Sequence, residues 1–119
     1  MRQAWCRRLT SKAEKRLLRK LTVENLWMYI IAALKDAPSH AYGVRVTLRE
    51  KFGINVPSVT VYTVLYRMVR EGLLAVEEVG STKVYEPTEK GLKALEGAKK
   101  LLRNIVKELD KWENNKNKA

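Results

Sequence analysis

Residues 56–91 read V-P-S-V-T-V-Y-T-V-L-Y-R-M-V-R-E-G-L-L-A-V-E-E-V-G-S-T-K-V-Y-E-P-T-E-K-G, and this stretch, Val56 to Gly91, decides the fold. Pro57 and Ser58 suit the opening of a helix, with either as the boundary residue. Val61, Leu65 and Met68 then share one face, joined by Val64 and Val69, at the spacing of an amphipathic helix. Gly72 ends it. Leu74–Val79 and Thr82–Tyr85 are expected strands about Gly80-Ser81, a two-residue hairpin signal. Pro87 has no N–H for a ladder, so the second strand is expected to stop short of it. Thr88 is the cap of a new helix. A helix feeding directly into a β-hairpin is how a winged helix-turn-helix is built.

Working outward, the upstream sequence supplies the helices that this arrangement needs. Thr22 is an N-cap candidate for a helix running to about Asp36, with Val23, Leu26, Ile30, Ala33 and Leu34 on one face. Ala37-Pro38-Ser39-His40 breaks it. A second helix from about Tyr42 to Lys51 buries Val44 and Leu48 and stops at Gly53. Ahead of both, Ser11 followed three residues later by Glu14 forms a capping-box signature within a basic stretch over residues 3–20. The fold class expected is mostly α with one small hairpin (α+β). Its divisions are a basic arm or helix at 1–20, a winged-helix head at 21–88, a long C-terminal helix at 89–113 and a frayed tail at 114–119.

Charge restricts the function. The 119-residue chain carries 24 Lys/Arg against 13 Asp/Glu, a net charge of +11. Residues 1–20 hold eight cations and one acid, hence +7, and the other 99 residues hold sixteen and twelve, hence +4. Such a balance points to a polyanion. No stretch approaches 18 apolar residues, so no membrane span is expected. Cys6 is the single cysteine and can form neither an internal disulfide nor a zinc site. No P-loop, G-x-G-x-x-G or H-E-x-x-H is present. Glu77 and Glu78 are adjacent on a strand and point to opposite faces, so they are no carboxylate pair. The expectation is a protein that is no enzyme and needs neither cofactor nor metal.

The third helix of the head carries the chemistry. A helix that enters a major groove needs an apolar face to hold it on the domain and a polar face to reach base edges. Thr60, Thr63, Arg67 and Arg70 repeat at helical spacing opposite the apolar face, flanked by Tyr62 and Tyr66. Ser58, Thr60 and Thr63, near the N-terminal end, are expected at or near bases. Tyr62, Arg67 and Arg70 are expected at phosphates, with Tyr42 and Lys83 as further DNA contacts. Tyr85 is expected to close the hairpin onto the core. His40, the lone histidine, suits a helix cap or a phosphate contact. Arg2, Arg7, Arg8, Lys12 and Arg16 form a DNA-binding arm that can lie along phosphates or enter a minor groove.

The last helix has a separate signal. Leu95, Ala98, Leu102, Ile105, Leu109 and Trp112 are spaced 3, 4, 3, 4, 3, an a/d seam over nearly three heptads. One small head cannot cover a seam that projects past it, so a homodimer is expected. The opposing reading folds this helix back on its own domain, against Trp27 and Ile31. Two-fold symmetry would set two recognition helices ~34 Å apart on a near-palindrome. Trp112 at the seam's end invites a flat apolar effector at the dimer interface, and otherwise anchors the helix ends.

These residues resemble the PadR-like transcriptional regulators. Tyr42-Gly43, Thr60-Val61-Tyr62 with Leu65, Glu71-Gly72-Leu73-Leu74 and Tyr85-Glu86-Pro87-Thr88-Glu89-Lys90-Gly91 are similar to that family's elements, in order, over Leu26 to Leu95. The resemblance implies a cytoplasmic, prokaryotic, dimeric repressor that binds double-stranded operator DNA. Pro87 departs from the pattern, and the hairpin carries Lys83 alone where relatives show several arginines. The basic arm leaves an alternative open, a sequence-neutral architectural DNA binder. A third use of such a head is contact with protein or RNA.

Overall fold

The computed structural model describes residues 9–117, in the order α1 (Lys12–Leu21), a 3-10 turn (Val23–Asn25), α2 (Leu26–Leu34), α3 (Ala41–Phe52), α4 (Ser58–Arg70), β1 (Leu74–Val79), β2 (Thr82–Pro87) and α5 (Glu89–Asn117). Arg2, Arg7, Arg8 and Cys6 lie outside the described residues. The fold is the expected one: mostly helical, with one antiparallel hairpin and a long last helix.

The core forms where α2, α3 and α4 meet. Ile30, Ile31, Leu48 and Leu65 are wholly buried there, with Leu26, Leu34, Val44, Val61 and Met68 close to it. Leu73, Leu74 and Tyr85 extend this core under the hairpin, and Leu95 extends it under the first turns of α5. Leu95 therefore belongs to the head of its own chain rather than to a free seam. Burying side chains of this size stabilises by roughly 1.5–3 kcal/mol each, which holds short helices that would be marginal alone.

The helix ends follow the expected side chains. Ser11 and Glu14 form the full capping box of α1, with the Glu14 N–H donating to Ser11 Oγ at 3.0 Å. His40 caps α3, its Nδ1 accepting the Gly43 N–H at 3.0 Å. Pro57 stands at the N-cap of α4, and no side chain caps that helix.

Four expectations need correction, the first at the C-terminus, where the last helix does not end at 113 but runs to Asn117, into the tail expected to fray. The helix placed after Thr22 begins with a 3-10 turn and becomes α-helical only at Leu26, which leaves Val23 exposed and puts Ile31 in the core where Ala33 was expected. Thr22 turns its hydroxyl back to the Leu18 carbonyl at 2.7 Å and closes α1 instead of opening α2. β2 does not stop before Pro87: Pro87 is its last residue, opposite Leu74. A terminal strand position does not need the missing N–H.

The hairpin is tied down twice, both times in the half away from the Gly80-Ser81 turn. Ser39, in the α2–α3 connection, exchanges two backbone bonds with Tyr85, at 3.2 and 2.8 Å. At the base itself the E-G-L and T-E-K-G segments meet in space. The Thr88 N–H donates to the Leu73 carbonyl at 3.1 Å, the Thr88 hydroxyl donates to the Gly72 carbonyl, and the Lys90 ammonium donates to the Glu71 carbonyl at 2.7 Å. Gly91 lies directly against the Leu73 carbonyl, at a distance that no side chain would permit.

The Glu14 carboxyl sits below the usual carboxylate range because it accepts from the Ser11 hydroxyl and N–H. A lowered value means that this cap contributes above the ordinary glutamate pKa and is lost as pH falls through the lowered one. Amide NMR signals of the first turn of α1 are expected to move on acidification below the ordinary carboxylate range. The Ser11→Ala chain should show that change displaced toward higher pH.

Candidate nucleic-acid interface

Burial splits α4 cleanly. Val61, Leu65 and Met68 face the core, while Ser58, Val59, Tyr62, Thr63, Tyr66, Arg67 and Arg70 are exposed. At 100° per residue the outermost line runs through Val59, Thr63, Tyr66 and Arg70. Arg67 lies toward one flank of this line, and Ser58 and Tyr62 toward the other. Thr60 is half-buried at the edge, in a groove between α4 and the 23–27 segment, so it is set back from the outer face on which it was expected.

Two outer residues were missed from the sequence. Val59 is 70% exposed and Tyr66 63%. Tyr66 was read as a flank, yet Arg70 lies over its ring at 5.7 Å from the centroid. This cation–π contact holds the guanidinium along the helix. Val59 was passed over because valine is ordinarily a core residue. The signal available was its spacing to Thr63, Tyr66 and Arg70, which repeats the core spacing 61–65–68 on the opposite side.

Beside α4 lies a trough of about 580 Å³ lined by His40, Tyr42, Tyr62, Ser81, Thr82, Lys83 and Tyr85. It brings together the start of α3, the first turns of α4 and the hairpin tip. Tyr42 and Tyr62 are exposed, at 66% and 58%, and the His40 and Tyr42 rings stack at 6.4 Å. Tyr85 is buried, as expected of a ring that closes the hairpin. Burial pushes its phenol pKa up, and the nearby Tyr62 hydroxyl adds to the effect. The trough offers hydroxyls and one ammonium, Lys83, which suits a single phosphate better than a row of them.

The hairpin itself is acidic. Glu77, Glu78 and Glu86 against Lys83 give one minus three, or −2, over residues 74–87. Glu78 pairs with Lys83 across the ladder, so these opposite charges share a face. Arg45 does not face outward. Its Nε donates to the Val56 carbonyl at 2.9 Å and fixes the turn before α4.

The model of the transcriptional regulator PadR-like family matches residues 30–97, more than half of the chain. The chain belongs to the PadR-like family. Among solved structures, a transcriptional regulator from Clostridium thermocellum is similar at a TM-score of 0.67 and 17% identity, over 87% of this chain and 97% of that one. A PadR family transcription regulator from Clostridium difficile is similar at 0.64 and 23% identity, over 72% and 95%. Bacillus subtilis PadR, solved in complex with operator DNA, is similar at 0.53 and 20% identity, over 60% of this chain and 45% of that one. These likenesses show the winged-helix fold. Comparison with curated proteins gives no match. The family match begins at residue 30, so α1 and the 3-10 turn lie outside the part of the chain shared with the PadR-like pattern.

The remaining residues of the expected seam lie on α5. Ala98 and Leu102 are half-buried, while Ile105, Leu109 and Trp112 are 48%, 62% and 69% exposed. Among the described residues nothing covers the distal seam. Lys12 and Arg16 are exposed on α1. Among the described residues, no helix is long and apolar enough to cross a membrane, and no group of three or more potential ligands could hold a metal ion.

Proposed function

We propose that the chain is a sequence-specific, double-stranded-DNA-binding transcriptional regulator that acts as a homodimer and represses its targets. The observation that carries this reading is the division of α4. One face seals the core while the other exposes Tyr62, Thr63, Tyr66, Arg67 and Arg70 to solvent. A helix of this kind, with its N-terminal end free of a side-chain cap, suits entry into a major groove beside phosphates. Ser58 and Thr63 then lie near bases, with Thr60 at the edge. Tyr42, Tyr62 and Lys83 close on a backbone phosphate, and Arg67 and Arg70 reach others.

The head at 21–88 binds DNA in this reading, and α5 pairs two heads through Ala98, Leu102, Ile105, Leu109 and Trp112. A bound complex covers a near-palindromic operator in the prokaryotic cytoplasm. A flat apolar molecule between two Trp112 rings would be its effector.

The test is fluorescence anisotropy on the DNA upstream of the coding sequence and on a scrambled duplex, across a salt series. Tight binding to the first alone supports the regulator. Arg70→Ala is expected to weaken both duplexes about equally and to reduce the slope of log affinity on log salt by about 1.8 for the dimer, one phosphate's worth from each head. An unchanged slope would remove Arg70 from the phosphate contacts.

A second reading, a sequence-neutral architectural binder, is favoured by α1. Its Lys12, Lys15, Arg16, Arg19 and Lys20 are exposed on one helix. In that case the two duplexes bind alike and affinity is lost with residues 1–20.

A further inference from the structure

We infer that Val59, with the methyl of Thr63, reads the C5-methyl of thymine, which makes Val59 a specificity-determining residue of the recognition helix. The inference rests on the major-groove reading of α4 given above.

Among the described residues no large apolar side chain is more exposed than Val59, at 70%. Its place in the first turn of α4 calls for a reason. Valine is a modest helix former because its branched Cβ crowds the preceding turn, and at this exposure it contributes little to the core. Thr63, one turn on, donates its hydroxyl to the Val59 carbonyl at 2.8 Å. That bond turns the polar group back on the helix and leaves the Thr63 methyl as the group without a partner. The outer face of the first turns is therefore apolar, although it was expected to be hydroxylic.

The occupant follows from charge and from groove chemistry. The chain carries +11, and the same helix presents Arg67 and Arg70, so the partner that approaches this face is a polyanion. Among the base edges of a DNA major groove, the thymine methyl is the one apolar feature, and alanine, threonine-methyl and other apolar contacts are what read it. Residues at the N-terminal end of a recognition helix reach deepest. Val59 stands at that end, whereas Arg70 stands three turns away at the other.

The test needs a duplex that differs by the methyl alone. A preferred sequence is first selected from a random pool with the full chain, and each thymine is then replaced singly by uracil. At one or two positions in the recognised sequence, uracil is expected to weaken binding about 4-fold, the worth of one buried methyl. Val59→Ala should bind the thymine and uracil duplexes alike at those positions. Arg70→Ala should bind both more weakly and keep their ratio. Uracil without effect at every thymine, with sequence preference retained, overturns the inference and leaves the DNA reading standing. Val59→Ala that keeps the full thymine preference overturns it too. Failure of any sequence to be enriched overturns the DNA reading, and this inference with it.

Discussion

Gly91→Ala is expected to be the most destabilising single-methyl change in the head. A Cβ built at Gly91 falls 2.1 Å from the Leu73 carbonyl oxygen and 3.0 Å from its carbon. Both are backbone atoms, and the same carbonyl accepts the Thr88 N–H, so neither can move without breaking the junction of hairpin and α5. Overpacking of this kind costs about 1–3 kcal/mol, and the clash against backbone puts Gly91→Ala at the upper end. Thermal unfolding followed by circular dichroism should show a fall of roughly 10 °C or more. Gly72→Ala is the control. Its φ of +82° strains any other residue, but the nearest foreign atom is the flexible Lys90 side chain at 3.7 Å. The cost there is the left-handed backbone alone, about 1–2 kcal/mol. If Gly91→Ala melts no earlier than Gly72→Ala, the close approach is not what requires glycine.

Leu109→Glu is expected to have the largest effect on activity with the least effect on folding. Leu109 is 62% exposed on a distal turn of α5 and takes no part in the core of its own chain. The substitution therefore leaves the melting of the head close to that of the parent. In a symmetric pair it sets two carboxylates at one apolar seam, where leaving charge unpaired is costly. Sedimentation velocity should report a monomer. Affinity for a palindromic duplex should fall by about 100-fold or more, because the second head no longer binds as a tethered partner. A Leu109→Glu chain that remains a dimer would exclude this seam as the interface and leave the contact to another face.

Much of this architecture is legible in the sequence because its signals are periodic or stereochemical. The core face of α4 repeats at 61, 65 and 68, and Ser11 with Glu14 specifies a capping box that forms as written. Gly80-Ser81 sets the hairpin register, with Val79 opposite Thr82. What escaped the sequence has no period. Val23 fits the apolar pattern of α2, but Thr22 bonds back to Leu18 and turns the chain before α2 starts. Leu95 satisfies a heptad pattern and is nonetheless buried under the head, because α5 leaves Thr88 lying across the core. The pairing of Ser39 with Tyr85 joins two residues far apart in the chain by a single bridge, and no local pattern announces it. At the candidate interface, residue types misled in both directions. Thr60 is polar and set back, while Val59 is apolar and outermost.

The bridge between Ser39 and Tyr85 has a mechanical consequence. A two-stranded hairpin alone is marginal in water, and this one has Lys83 as its one cation with which to grip a polyanion. Bound on one side to the α2–α3 connection and on the other to the start of α5, it cannot swing independently of α4. The spacing between the base of the hairpin and α4 is thus fixed, like the root of a caliper. A duplex laid across it has to supply the compliance itself, through base steps that roll or twist at low cost. In the proposed complex, preference among sites would then extend to base pairs that no side chain touches, set by the stiffness of the DNA.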